Sequence, residues 1–110
     1  MRGKALISGM EAVAKGYWIA HVRVTDPERY KDYISANAVA FAKYNARFIV
    51  RGGRHEVASG QMGERRHVVI EFDSYAAAKA CHESPEYQAA ARIRDQASVA
   101  DLVIIEGYDG

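Results

Sequence analysis

A chain of 110 residues has room for one domain, and its 49% hydrophobic and 26% charged residues lie in the ordinary globular range. Fifteen Lys and Arg against fourteen Asp and Glu leave a net charge of +1 with no basic stripe, which argues against a dedicated nucleic-acid binder. Cys81 is the single cysteine, so no intrachain disulfide forms; no apolar run reaches the ~20 residues of a membrane helix, and a cytoplasmic protein is expected.

Residues 1–14 carry Arg2 and Lys4 before Ala5-Leu6-Ile7, and Ser8, Gly9 and Glu11 interrupt that run too early for a signal peptide. This stretch is expected to be a flexible N-terminal extension, and residues 15–110 a single domain. Tyr17 to Val24, rich in β-branched and aromatic residues, predicts the first strand. Alternation puts Trp18, Ala20, Val22 and Val24 on one face and Tyr17, Ile19, His21 and Arg23 on the other. Asp26 as cap, Pro27 at the first position and Glu28 behind it start a helix. Its stripe is Tyr30, Tyr33, Ile34, Asn37, Ala38, Phe41 and Ala42, apolar at every position but Asn37, and it fades near Tyr44-Asn45.

Arg47 to Arg51 predicts a second strand, with Phe48 and Val50 on one face and Arg47, Ile49 and Arg51 on the other. Gly52-Gly53 ends it, Arg54 to Ser59 reads as a short arm and Gly60 to Glu64 as a loop. Arg66 to Phe72 is the third strand, with Val68, Ile70 and Phe72 opposed by His67, Val69 and Glu71. Asp73-Ser74 caps a short alanine-rich helix, Tyr75 to His82, and Ser84-Pro85-Glu86 starts another piece through about Ser98. Leu102 to Glu106 is the last strand.

The order β-α-β-β-α-β, with its second helix broken at Ser84-Pro85, predicts an α+β ferredoxin-like protomer: an antiparallel sheet with helices on one face. The other face then carries Tyr17, Ile19, His21, Arg23, Ile49, Val69, Val103 and Ile105. Too many of these are apolar for a solvated surface, so a second copy is expected to cover it face to face.

Lys15-Gly16-Tyr17-Trp18-Ile19-Ala20, Thr25-Asp26-Pro27 with Tyr30, and Phe48-Ile49-Val50-Arg51-Gly52-Gly53 form the first part of an ordered motif set. Val69-Ile70-Glu71-Phe72, Ser84-Pro85-Glu86-Tyr87-Gln88 and Val103-Ile104-Ile105-Glu106-Gly107 complete it. From Lys15 to Gly107 the chain resembles the domain-of-unknown-function family DUF1330, within the dimeric α+β barrel superfamily. The resemblance implies a ferredoxin-like protomer and a face-to-face dimeric barrel. It implies no particular reaction, because the wider superfamily spans cofactor-free monooxygenases, haem-degrading enzymes, isomerase-like enzymes and stress-responsive proteins.

His21 and Glu71 lie on strands expected to be neighbours and point to the non-helical face. An imidazole oriented by a carboxylate in a partly dry space acts as a general base; the same pair also serves as a buried polar contact of an interface. His67 shares that face, but four residues along a strand span ~13 Å, so His67 and Glu71 do not ligate one ion together and no metal site is expected. Arg51 and Arg54 flank the Gly52-Gly53 turn and are candidates to hold an anionic group of a substrate, with Tyr17 as a further binding residue. The aromatic residues Trp18, Tyr30 and Tyr33 are read as core packing, Cys81 as a small buried residue, His82 as a partner of the last helical carbonyls and His55 as solvated. Two readings follow. One is a homodimeric small-molecule-binding protein, in its enzymatic form a cofactor-free enzyme for a small anionic or aromatic substrate with His21 and Glu71 as its acid–base pair. The other is a non-catalytic binding or interaction module whose polar residues serve the dimer interface.

Overall fold

The computed structural model describes residues 6–7, 10–11 and 13–108. The expectation for residues 1–14 falls largely outside them; within that stretch Leu6–Ile7 (β1) pairs antiparallel with Met10–Glu11 (β2). The remaining elements are β3 (Gly16–Val24), α1 (Pro27–Lys43), β4 (Arg47–Arg51), β5 (Arg66–Phe72), α2 (Tyr75–Glu83), α3 (Pro85–Ala97) and β6 (Ser98–Glu106). β3 to β6 form one antiparallel sheet in the order β4-β5-β3-β6. The protomer is an α+β ferredoxin-like fold.

The helix boundaries follow from local chemistry. The Asp26 carboxylate accepts from the Arg29 amide at 3.1 Å, Pro27 supplies a helical φ, and Asn45 adopts φ 56° just past the Tyr44 cap. Ser84 ends α2 and begins α3 in one residue: its hydroxyl donates to the Cys81 carbonyl at 2.7 Å and accepts from the Tyr87 amide at 3.1 Å. Burial picks Tyr30, Tyr33, Asn37, Ala40 and Phe41 from α1. Ala38 and Ala42, expected in that stripe, are exposed, and Ala40 is fully buried instead.

Trp18, Val22, Val68, Ile70 and Phe72 from the sheet pack against Tyr30, Tyr33, Phe41, Ala78, Cys81, Tyr87 and Ala90 from the helices. Trp18 is the hub, with ring centroids 4.7 Å from Tyr87, 5.2 Å from Phe72 and 5.4 Å from Phe41, and its indole N–H donates to the Ala78 carbonyl at 2.9 Å. Each such buried large side chain stabilises the fold by about 1.5–3 kcal/mol. The His82 ring, expected to serve the last carbonyls of α2, packs on Trp18 and Tyr87, at 5.6 and 5.5 Å. Burial pushes the Cys81 thiol up to about 12, which leaves it inert.

Two strands depart from the sequence pattern. β6 begins at Ser98, four residues before the expected start at Leu102, because it pairs with β3 as far as Val24. In β4 the register slips between Phe48 and Val50: Phe48 opposes Ile70, Val50 opposes Val69 and Arg51 opposes Val68. This bulge inserts one extra residue and reverses the alternation behind it. Val50, expected beside Phe48 over the core, therefore faces outward, and Arg51, expected outward, turns to the helical side.

Candidate functional site

Two surfaces of the sheet concentrate chemistry. On the helix-covered side a cleft opens between the sheet and the helices α1 and α3. Its interior is aromatic and apolar, set by Trp18, Phe41, Phe48, Ile70 and Tyr87. It holds about 40 Å³ of interior free space, and about 510 Å³ once its open mouth is counted. The one amide among its lining residues is Asn37, 4% exposed, the single residue of the α1 stripe that sequence patterning marks as out of place. The hydroxyls of Tyr33 and Tyr87 meet at 2.8 Å, and Arg94 Nη1 donates to the Tyr87 hydroxyl at 3.0 Å. Desolvation pushes both phenols above the ordinary tyrosine range, so both stay neutral, and one donates to the other.

The mouth is basic. Arg51, Arg66 and Arg94 line it together with Tyr30. The Arg51 guanidinium lies over the Phe48 ring, 4.1 Å from its centroid. Arg66 Nε is buried with no hydrogen-bond partner among the described residues. Arg94 is already paired with Asp95 at 3.0 Å.

The opposite, helix-free face is ordered in rows across the strands. Arg47, Glu71, Tyr17 and Ile105 form one row; Val50, Val69, Ile19 and Val103 form the next; His67, His21 and Asp101 form a third. In the first row the Tyr17 hydroxyl donates to Glu71 Oε2 at 2.9 Å and Arg47 Nε donates to Oε1 at 3.0 Å. The Tyr17 hydrogen bond first, then the Arg47 hydrogen bond, hold the Glu71 carboxyl below the usual carboxylate range. In the third row His21 Nδ1 and His67 Nδ1 are 2.8 Å apart, and the exposed His55 ring sets itself edge-on to His67 at 4.6 Å. Arg65 pairs with Asp101 beside them. Among the described residues no group of three or more His, Cys, Asp or Glu is arranged to hold a metal ion.

This geometry revises several expectations. His21 and Glu71 do share the helix-free face, but they are not a pair: the β3–β5 register sets Glu71 opposite Tyr17 and His21 opposite His67. Four residues of strand, ~13 Å, separate them. Arg51 and Arg54 are likewise parted, since the β4 bulge turns Arg51 into the cleft while Arg54 stays exposed and outside the cleft lining. Tyr17 lies on the outer face, as its strand alternation predicts, outside the cleft lining. His55, expected to be solvated, is exposed but packed on His67. Arg66, Arg94 and Asn37 line the cleft without being candidates on the sequence pattern. Only Asn37 left a signal, as a polar interruption of an apolar stripe.

The fold has many solved relatives. The chain is similar, at 18% identity and a TM-score of 0.71, to a protein of unknown function from Rhodopseudomonas palustris, RPA0582, over 88% of this chain and 85% of that one. SnoaB, a cofactor-independent oxygenase from Streptomyces nogalater, is similar at 13% identity and a TM-score of 0.62, over 84% of this chain and 92% of that one. A dimeric ferredoxin-like protein of unknown function from Thermobifida fusca is similar at 18% identity and a TM-score of 0.56, over 87% and 92% of the two chains. At such identities the likeness speaks for the fold alone. No curated protein sequence matches the chain. Residues 15–108 match the family described as domain of unknown function (DUF1330), and with nearly the whole ferredoxin-like domain inside that match, the chain belongs to this family.

Proposed function

We propose that the protein is a homodimer that binds a small apolar or aromatic molecule in the cleft between the sheet and the helices. The observation that carries this reading is the cleft itself: an aromatic wall interrupted by one buried amide and a paired set of phenols, opening at a basic mouth. Mostly apolar walls with a few converging polar groups are the usual make-up of a small-molecule site. The dimer rests on the helix-free face, where Ile49, Val103 and Ile105 are 53%, 49% and 46% exposed in the protomer. Dimeric relatives of the same fold support it.

Chemistry without a resident cofactor is the enzymatic form of this reading, and the cofactor-independent oxygenase among the similar structures supports it. In that form the polar groups at the reacting molecule are Asn37, Tyr33, Tyr87 and the arginines of the mouth, rather than His21 and Glu71. A second reading is favoured by the outer rows: Glu71 and His21 each have partners within the sheet and lie on the face that a second copy would cover. There they serve as polar contacts of the dimer, as a non-catalytic binding module requires.

The test uses Trp18, the only tryptophan, which lines the cleft. A small aromatic ligand is expected to change its fluorescence saturably, and Ala20→Leu, which fills the cleft floor, is expected to abolish that change. Sedimentation of the same samples is expected to give a dimer. A monomer, or a fluorescence change indifferent to Ala20→Leu, would overturn the proposal.

A further inference from the structure

We infer that the ligand of the cleft is a monocarboxylate on a small apolar or aromatic body, bound with its carboxylate at the mouth between Arg51 and Arg66 and its body against Trp18 and Phe41. This rests on the cleft being a small-molecule site and adds the charge, the chemical class and the direction of the ligand.

Three arginines, Arg51, Arg66 and Arg94, line the same cleft together with Tyr30. The hydroxyl of Tyr30 feels Arg66, Arg94 and Arg51, each of which opposes the upward push of burial on that phenol. Concentrating three cations at the edge of an apolar cleft is unfavourable unless an anion joins them. Among the described residues, only Arg94 of the three has a carboxylate within reach, Asp95 at 3.0 Å. Arg51 and Arg66 have no ion pair among the described residues, and the Nε–H of Arg66 is buried without an acceptor. A buried guanidinium donor left unpaired costs free energy that an incoming oxygen returns.

The local backbone holds the two free arginines in place. The β4 bulge turns Arg51 inward, and its guanidinium is laid flat on Phe48. Gly52 has φ 65°, and a Cβ there would come within 3.0 Å of the Arg66 guanidinium. A residue with no side chain thus lets the chain turn close over Arg66. Two planar guanidinium forks with one unneutralised charge each, plus a neutral Tyr30 hydroxyl, match the two oxygens of a carboxylate. The interior free space is small, so any ligand of more than a few atoms extends into the mouth and meets these side chains. Its apolar part has one direction open to it, toward the aromatic wall.

The experiment compares phenylacetate with its neutral isostere phenylacetamide, and with inorganic phosphate, by Trp18 fluorescence and isothermal titration calorimetry on the full chain. Phenylacetate is expected to bind at least tenfold more tightly than the amide. Arg66→Met and, separately, Arg51→Met are expected to erase that preference while leaving the thermal midpoint near that of the parent. Arg54→Met, on the exposed loop outside the cleft, is expected to leave it unchanged. Equal binding of acid and amide would overturn the carboxylate inference and leave the cleft reading standing. Binding of neither would overturn both. Phosphate binding more tightly than phenylacetate, or an equal loss in Arg54→Met, would also overturn the inference, the first by assigning the arginines to a bare anion and the second by reducing their effect to general charge.

Discussion

The Nδ1 atoms of His21 and His67 face each other at 2.8 Å across the β3–β5 ladder. One nitrogen must donate and the other accept, so the pair is at its best with a single proton between the two atoms. His67 is held below its usual range, first by desolvation and then by the nearby His55 and His21. A histidine with a depressed folded value adds stability that is complete above the ordinary histidine value of ~6.5 and is lost as pH falls from there toward the folded value. The thermal midpoint is therefore expected to drop between about pH 7.5 and pH 5.5. His82, depressed by its burial, acts in the same direction and window. The His67→Gln protein isolates the contribution: it is expected to show a smaller drop than the parent. An equal drop in both would remove His67 as a cause.

Glu71 accepts from Tyr17 and Arg47 at once, on the face assigned to the partner copy. Glu71→Gln keeps an acceptor for one of them and removes the charge opposite Arg47. Sedimentation is expected to show self-association weakened several-fold, with the protomer still folded by circular dichroism. A dissociation constant equal to that of the parent would exclude the row from the interface.

Val103 lies in the apolar row with Val50, Val69 and Ile19 and is half exposed in the protomer. Val103→Glu costs little in an isolated protomer, since the side chain reaches water, and much when a second sheet covers it. The variant is expected to run as a monomer at concentrations where the parent is a dimer. A dimeric Val103→Glu protein would move the interface elsewhere.

Gly16 packs against the start of α2 so closely that a Cβ would lie 2.3 Å from the Ser74 carbonyl oxygen and 2.7 Å from the Tyr75 Cα. Both are backbone atoms and neither yields by a rotamer change. Gly16→Ala is expected to destabilise the fold by about 1–3 kcal/mol, as overpacking does in well-filled sites. Urea unfolding measures it directly, and a midpoint equal to that of the parent would mean that the strand and helix separate at no cost.

Tyr87 is the middle of a buried chain, donating to or accepting from Tyr33 while Arg94 donates to it. Tyr33→Phe removes one hydrogen bond and is expected to cost about 1 kcal/mol. Tyr87→Phe strands two partners in a buried site and is expected to cost more than Tyr33→Phe. The reverse order in chemical unfolding would contradict the arrangement.

Much of this molecule was legible in one dimension. Asp26-Pro27, Ser74 and Ser84-Pro85 carry their capping chemistry within three or four residues, so α1, α2 and α3 begin where the sequence predicts. Trp18, Val22, Val68, Ile70 and Phe72 alternate with a period of two, and that alternation determined which face the helices cover. The apolar excess on the other face follows from the same pattern. Register and bulges do not, because they depend on which residues of two distant strands meet. The β3–β5 register sets His21 opposite His67, four positions along the strand from Glu71, and one inserted residue in β4 moves Arg51 from the outer face into the cleft. The basic mouth is decided at the same level. Arg51, Arg66 and Arg94 lie on three elements, and the β4–β5 pairing together with the packing of α3 over the sheet brings them to one cleft.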